Sequence, residues 1–284
     1  AAELEREKQV VLQELGEARD TPNDIIFDDL WAAAFAGQPL GRSILGDEQS
    51  IAAIARDDLA AWREAHYRGG GMILAAAGKV DHDALVALAE RHFAMAPGGR
   101  GPAFAPAGFT AATRVGRTRS DQAHLTFALP APAAADPGFL AARLFVDIVG
   151  GGMSSRLFQQ VREERGLAYS VYAQAVPYAD TGLAYIYAAT ARAQSSEAAR
   201  LIEAVIAEAA ETADQRELER VRTQARAGLL MSLETPWGQA SYAARQLAVH
   251  GRLVEPAEVL ERLAGVTLEE VRDAGRAMLA GGIA

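Results

Sequence analysis

The 284-residue sequence contains no cysteine. That excludes disulfides, cysteine-ligated zinc, iron–sulfur clusters and thiol catalysis. Aromatic residues are sparse, at 7%, while alanine is abundant, a bias toward surface helix and small core side chains. Positive charge is in deficit. With 28 Lys and Arg against 37 Asp and Glu, the net charge of −9 argues against a nucleic-acid partner, which needs a basic patch. Long apolar runs are missing as well. The most apolar stretch, Met72–Ala77, is strand-sized, so no membrane span is expected. The sequence opens on Ala1, and neither a signal peptide nor a transit segment is expected in its first residues. The chain opens in helical pattern without an N-cap, so further chain is expected upstream, and the protein is expected to be cytoplasmic.

What is present points to a globular α+β protein. Half of the residues are hydrophobic and 23% are charged, and the length suits two domains. Residues 3–20 are patterned as an amphipathic helix, and Asp20-Thr21-Pro22-Asn23 breaks it and starts a second. Helical turns follow through Ile51, Ile54, Leu59 and Trp62. Met72–Gly78 is expected to be a buried strand, and Asp81 to cap a helix through Phe93. A stretch rich in Pro, Gly and Ala marks a linker over 97–112, dividing a domain over 1–96 from one over 113–284. The second region opens with a strand over 124–129, then a helix to Val149 broken at Gly150-Gly151-Gly152. A helix through Leu157 and Val161, strands over 168–176 and 183–191, and helices over 196–210 and 215–249 complete it, the last bent at Pro236. Trp31, Phe35 and Trp62 are assigned to the core.

The two regions share a pattern. Glu-Leu-Glu-Arg occurs at 3–6 and again at 217–220, an offset of 214, and Thr21-Pro22 meets Thr235-Pro236 at the same offset. Further on, Ile51, Ile54 and Leu59 meet Leu260, Leu263 and Leu268 at an offset of 209. The ordered series implies a duplicated fold and places the counterpart of the Met72–Gly78 strand at 281–287. On the first helix, Leu4, Val11, Leu15 and Ala18 share a face, with Glu7 and Glu14 on its flank two turns apart. Two carboxylates beside a core need a cation, a metal or several donors. The second repeat has Val221 and Gly228 there, so the fold itself does not require them. The alternative is a solvated helix edge.

The segment Glu5-Arg-Glu-Lys-Gln-Val-Val-Leu-Gln-Glu14-Leu resembles the second metal motif of the insulinase/pitrilysin (M16) peptidases, most of all their mitochondrial processing peptidase branch. The likeness continues through Leu40-Gly41-Arg42-Ser43-Ile44-Leu45-Gly46 and Ala75-Ala76-Ala77-Gly78-Lys79-Val80. It resumes at Gly150-Gly-Gly-Met-Ser-Ser-Arg-Leu-Phe158 and at Val161-Arg-Glu-Glu-Arg-Gly-Leu-Ala-Tyr169-Ser. The resemblance implies two duplicated α/β-roll domains, each a mixed, mostly antiparallel sheet packed with helices. In such enzymes an H-x-x-E-H helix supplies two zinc ligands and the Glu that activates water. Glu14 matches the third zinc ligand, and Glu7 an acidic residue behind it that steadies the site. Arg162 and Tyr169 match the pair that the second domain presents to the substrate. The five histidines, at 66, 82, 92, 124 and 250, form no H-x-x-E-H. The resemblance therefore implies part of a zinc metalloendopeptidase that cleaves peptides or presequences in a closed chamber, inactive as this segment alone. Peptide substrates and a homo- or heterodimer with a family member are the partners it implies. The alternative is a noncatalytic partner or structural subunit of the same family.

Overall fold

The structure is a computed structural model that describes residues 2–93, 98–117 and 120–284. Eleven α-helices and three strands are formed among these residues, and they sort into two compact units.

The first unit comprises Ala1–Gln13, Asp47–Ala105 and Ala227–Glu258. It holds the first part of α1 (Ala2–Asp20), α3 (Glu48–Ala53), α4 (Arg56–His66) and α5 (His82–Phe93). Local chemistry fixes the helix starts. The Asp47 carboxylate accepts from Ser50 N–H at 2.7 Å, Asp58 accepts from Ala55 N–H at 2.8 Å, and Asp81 accepts from Ala84 N–H at 2.8 Å, as its sequence role requires. Lys8 Nζ donates to Ala52 C=O at 3.0 Å.

Two expectations fail in this unit. Met72–Gly78 is not a strand: residues 72–77 have no regular structure, and Met72, Ile73 and Leu74 are 42, 44 and 56% exposed. Apolar residues signal burial, but a strand exists only when a neighbouring backbone takes up its N–H and C=O groups, and none of the described residues does so as a strand. Trp62 is exposed, its ring lying on His66 at 3.8 Å between centroids, rather than in the core.

The second unit comprises Glu14–Gly46, Pro106–Arg226 and Val259–Ala284. Its centre is an antiparallel sheet of β1 (Gln122–Ala131), β2 (Ala168–Pro177) and β3 (Gly182–Ala191) in the order β1-β3-β2. Side chains alternate across it. Leu125, Phe127, Leu129, Ile186 and Val171 point to one face, where α6 (Phe139–Gly150), α7 (Ser195–Thr212) and α11 (Leu268–Ala280) bury them among Leu144, Phe145, Ile148, Ile202, Ile206 and Val271. Gly275 makes this packing possible: a Cβ there would lie 2.5 Å from the Phe145 ring. On the other face, α2 (Pro22–Ala34) sets Leu30 and Ala34, with Phe35 just beyond its end, against Ala128, Leu183 and Tyr185. Trp31 donates from Nε1 to Tyr178 Oη at 2.6 Å. Of the residues assigned to the core, Phe35 is fully buried and Trp31 partly so.

The expected linker is tied down where it enters this unit. Gln38 exchanges two hydrogen bonds with Gly108, at 2.6 and 2.7 Å, and Thr110 N–H donates to Ala34 C=O at 2.7 Å. The boundary expected at 96/97 lies outside the described residues.

The helical series recurs in chain order. α8 (Gln215–Ser232), α9 (Pro236–His250), α10 (Pro256–Gly265) and α11 follow one another as α1 to α4 do, and α2 and α9 both begin on the matched prolines. The span 215–249 is not one bent helix but two. Pro236 cannot donate into a preceding turn, so the chain breaks at 233–235, and Thr235 caps α9 through Gly238 N–H at 3.0 Å. The fourth pair starts at Arg56 and Leu268, an offset of 212 rather than 209. Within 281–287, the span of the expected counterpart strand, Ala284 exchanges two backbone hydrogen bonds of 2.9 Å with Ala128 of β1.

Candidate functional site

Glu7 and Glu14 both lie on α1, and both are exposed. Leu15 is the buried residue of this helix, so the apolar face is real but the two carboxylates stand outside it. Among the described residues, no group of three or more His, Asp or Glu is placed to hold a metal ion. Glu14 is therefore a single carboxylate, suited to be one ligand of a set but not the set itself.

Arg162 and Tyr169 are seven residues apart and meet in space. Residues 158–164 form a π-helix rather than an α-helix. Its wider turn keeps Leu157 and Val161 fully buried while Arg162 emerges at the surface. Gly166, at φ +61°, closes the turn in the left-handed region, where a side chain would be strained. Leu167 N–H then donates back to Val161 C=O at 2.9 Å, and β2 begins. The register with β3 slips between Ala168 and Ser170, so Tyr169 is a bulged residue, 76% exposed. The Arg162 guanidinium lies 4.7 Å from the Phe158 ring centroid and 5.2 Å from that of Tyr169. Two backbone irregularities thus bring one guanidinium and one phenol to a common place.

The segment is anchored from behind. Arg156 donates from Nε and Nη2 to the two carboxylate oxygens of Glu217, each at 2.7 Å, and from Nη1 to Thr212 Oγ1 at 2.8 Å. The Glu217 hydrogen bond raises the already high pKa of Arg156. Glu217 also caps α8 by accepting from Asp214 N–H at 2.9 Å. Ser155 is buried, its hydroxyl donating to Gly152 C=O at 2.6 Å.

Beside Arg162, the open face of the sheet holds a cleft of about 570 Å³. Asn23, Asp24 and Phe27 of α2 line it together with Gln122, His124, Ser170, Tyr172 and Tyr187 of the strands. His124 Nδ1 and Tyr187 Oη are 2.8 Å apart. Burial holds the His124 pKa below 6.5 and pushes the Tyr172 and Tyr187 hydroxyls up, so both phenols keep their protons. The sequence reading passed over His124, Tyr172 and Tyr187. Its available signal was the i, i+2 pair Tyr185 and Tyr187 on one strand face, with Tyr172 directly opposite Tyr187 in the register. Of the basic residues before β1, Arg114 pairs with Asp29 at 3.4 Å, and Arg119 lies outside the described residues.

Residues 53–225 match the profile described as Peptidase M16 inactive domain. The chain is 34% identical over 270 residues to an uncharacterized zinc protease of Rickettsia bellii, covering 95% of this chain and 66% of that protein. It is 32% identical over 291 residues to the mitochondrial-processing peptidase subunit beta of Lentinula edodes, covering 95% of this chain and 61% of that protein. The crystal structure of a peptidase M16 inactive domain from Pseudomonas fluorescens superposes with a TM-score of 0.87 at 23% identity, covering all of this chain and 69% of that one. The chain thus spans under two thirds of the length of the two relatives. No helix among the described residues is long and apolar enough to cross a membrane.

Proposed function

The chain belongs to the M16 peptidase family, and from that premise we propose that it forms part of a zinc-dependent metalloendopeptidase that cleaves peptides within a closed chamber. The observation that carries this reading is the convergence of Arg162 and Tyr169 on a π-helix and a β-bulge, with the guanidinium 5.2 Å from the phenol ring. Backbone irregularities of both kinds are over-represented at functional sites. A phenol O–H and guanidinium N–H groups on two side chains in ring contact are donors for a substrate carbonyl and for the negative charge that grows on it during attack.

In this reading Glu14 is one zinc ligand of the complete protein, and Glu7, one heptad earlier on α1, is the acidic residue behind it. Zinc would supply an activated water and polarise the scissile carbonyl. This chain holds one carboxylate toward such a site, so its own residues perform the binding part: Tyr169 and Arg162 hold and orient the carbonyl. The proposal divides the chain into a metal-bearing part over 1–96, a linker over 97–112 and a second peptidase-like domain over 113–284. A second copy or another family member closes the chamber.

The test is kinetic. In the complete protein, Tyr169→Phe and Arg162→Ala each lower kcat by about 10²-fold with zinc content unchanged. Unchanged kcat in both variants overturns the assignment. The second reading is a noncatalytic partner subunit, and one observation favours it: the profile matched over 53–225 is that of the family's inactive domain. A complete protein that holds no zinc and cleaves no unfolded peptide selects this second reading.

A further inference from the structure

Two arginines six residues apart are held in opposite ways. Arg156 commits Nε, Nη1 and Nη2 to acceptors on Glu217 and Thr212, so its donors are occupied. Arg162 makes no hydrogen bond among the described residues. The carboxylate of Glu163 stands 3.7 Å from its Nε, beyond hydrogen-bond length. What holds Arg162 is ring surface: its guanidinium carbon lies over Phe158 at 4.7 Å and over Tyr169 at 5.2 Å. A ring attracts the cation through its face and offers no acceptor oxygen to claim an N–H. The guanidinium is thus fixed in place with its donors still available.

Of the two rings, Tyr169 is 76% exposed, whereas Phe158 is half-buried. Phe158 follows the fully buried Leu157 and is the first residue of the π-helix, four residues before Arg162. Phe158 is therefore the better fixed of the two. Without its ring, Arg162 is free to turn toward carboxylates that would occupy its donors: Glu163 on the same helix, and Asp24, which lines the same cleft.

We propose that Phe158 is a positioning residue for the peptidase reaction, acting through Arg162: its ring face holds the guanidinium where its N–H groups meet the substrate carbonyl. The inference rests on the peptidase reading and adds to it a residue that neither donates nor accepts a proton.

The test measures hydrolysis of an unfolded, quenched-fluorescence peptide by the complete protein, with zinc content and Tm recorded for each variant. Phe158→Leu keeps apolar bulk but removes the ring face. It lowers kcat about tenfold and changes KM by less than about threefold, with zinc unchanged. Phe158→Tyr restores the face and keeps kcat within about twofold of wild type. In an Arg162→Ala background, Phe158→Leu lowers kcat no further, because the residue through which Phe158 acts is gone. A merely structural role predicts instead that the two losses multiply. In the unmodified protein, ring currents move the NMR signal of the Arg162 Nε–H proton upfield, a readout that needs no variant to fold. Equal kcat in Phe158→Leu and wild type, losses that multiply in the double variant, or an Arg162 signal at its random-coil position overturns the proposal while leaving Arg162 in its role. Failure of the peptidase reading looks different: no hydrolysis by the wild type, or an unchanged kcat in Arg162→Ala itself, and the proposal falls with it.

Discussion

Replacing Arg156 by Ala removes three charge-assisted hydrogen bonds, two to Glu217 at 2.7 Å and one to Thr212 at 2.8 Å. The two side chains are only 13 and 21% exposed, so water replaces these bonds poorly. Breaking a fully buried pair costs about 3–5 kcal/mol. Discounted for the partial exposure of Glu217, the expected loss for Arg156→Ala is about 2–3 kcal/mol. Glu217→Gln keeps an oxygen for the cap to Asp214 N–H while removing the charge, so it isolates the pair from the helix start. Urea denaturation of wild type, Arg156→Ala, Glu217→Gln and the double variant gives the coupling energy, expected at about 1.5–3 kcal/mol. Arg156→Lys recovers little, because an ammonium cannot match the two-pronged geometry. The anchor lies six residues before Arg162, so the same variants also loosen the π-helix, read as faster amide exchange at Val161 and Arg162. A coupling below about 0.5 kcal/mol, with exchange unchanged, refutes the reasoning.

Two further outcomes are expected. The folded-state pKa of His124 lies below its unfolded value of 6.5, so its contribution to stability is complete above pH 6.5 and is lost as the pH falls toward the folded value. The Asp24 carboxylate and Arg162 guanidinium line the same cleft and act on this group in opposite directions. Denaturation curves across pH 5–7 therefore show less slope in His124→Gln than in wild type, and identical slopes count against the buried setting of His124. Gly275→Ala places a Cβ 2.5 Å from the Phe145 ring and lowers stability by about 1–3 kcal/mol; a Tm equal to wild type would show that α11 and α6 are not packed as described.

The sequence was informative wherever local chemistry decides the outcome. The carboxylate of Asp81, the threonine–proline start at Thr21-Pro22, and the β2–β3 hairpin all stand as their residues require. It was misleading where a partner decides. Met72–Gly78 has a strand's composition, yet it forms no strand because none of the described strands pairs with it, and Met72, Ile73 and Leu74 are exposed. The π-helix at 158–164 has no sequence signature of its own, since a turn wound i to i+5 uses the same residues as one wound i to i+4. The candidate site divides in the same way. Arg162 and Tyr169 were found through family likeness, and their meeting depends on a bulge that only the β2–β3 register reveals. His124 and Tyr187 are 63 residues apart and face each other diagonally across β1 and β3, a contact that periodicity along either strand does not contain.

The central claim is that Glu14 serves a metal in the complete protein, and zinc content tests it most directly. Metal analysis of the purified complete protein, wild type beside Glu14→Gln, is expected to show about one zinc per chain in the first and a loss of at least tenfold in zinc affinity in the second. Equal zinc in both proteins, or none in either, contradicts the account.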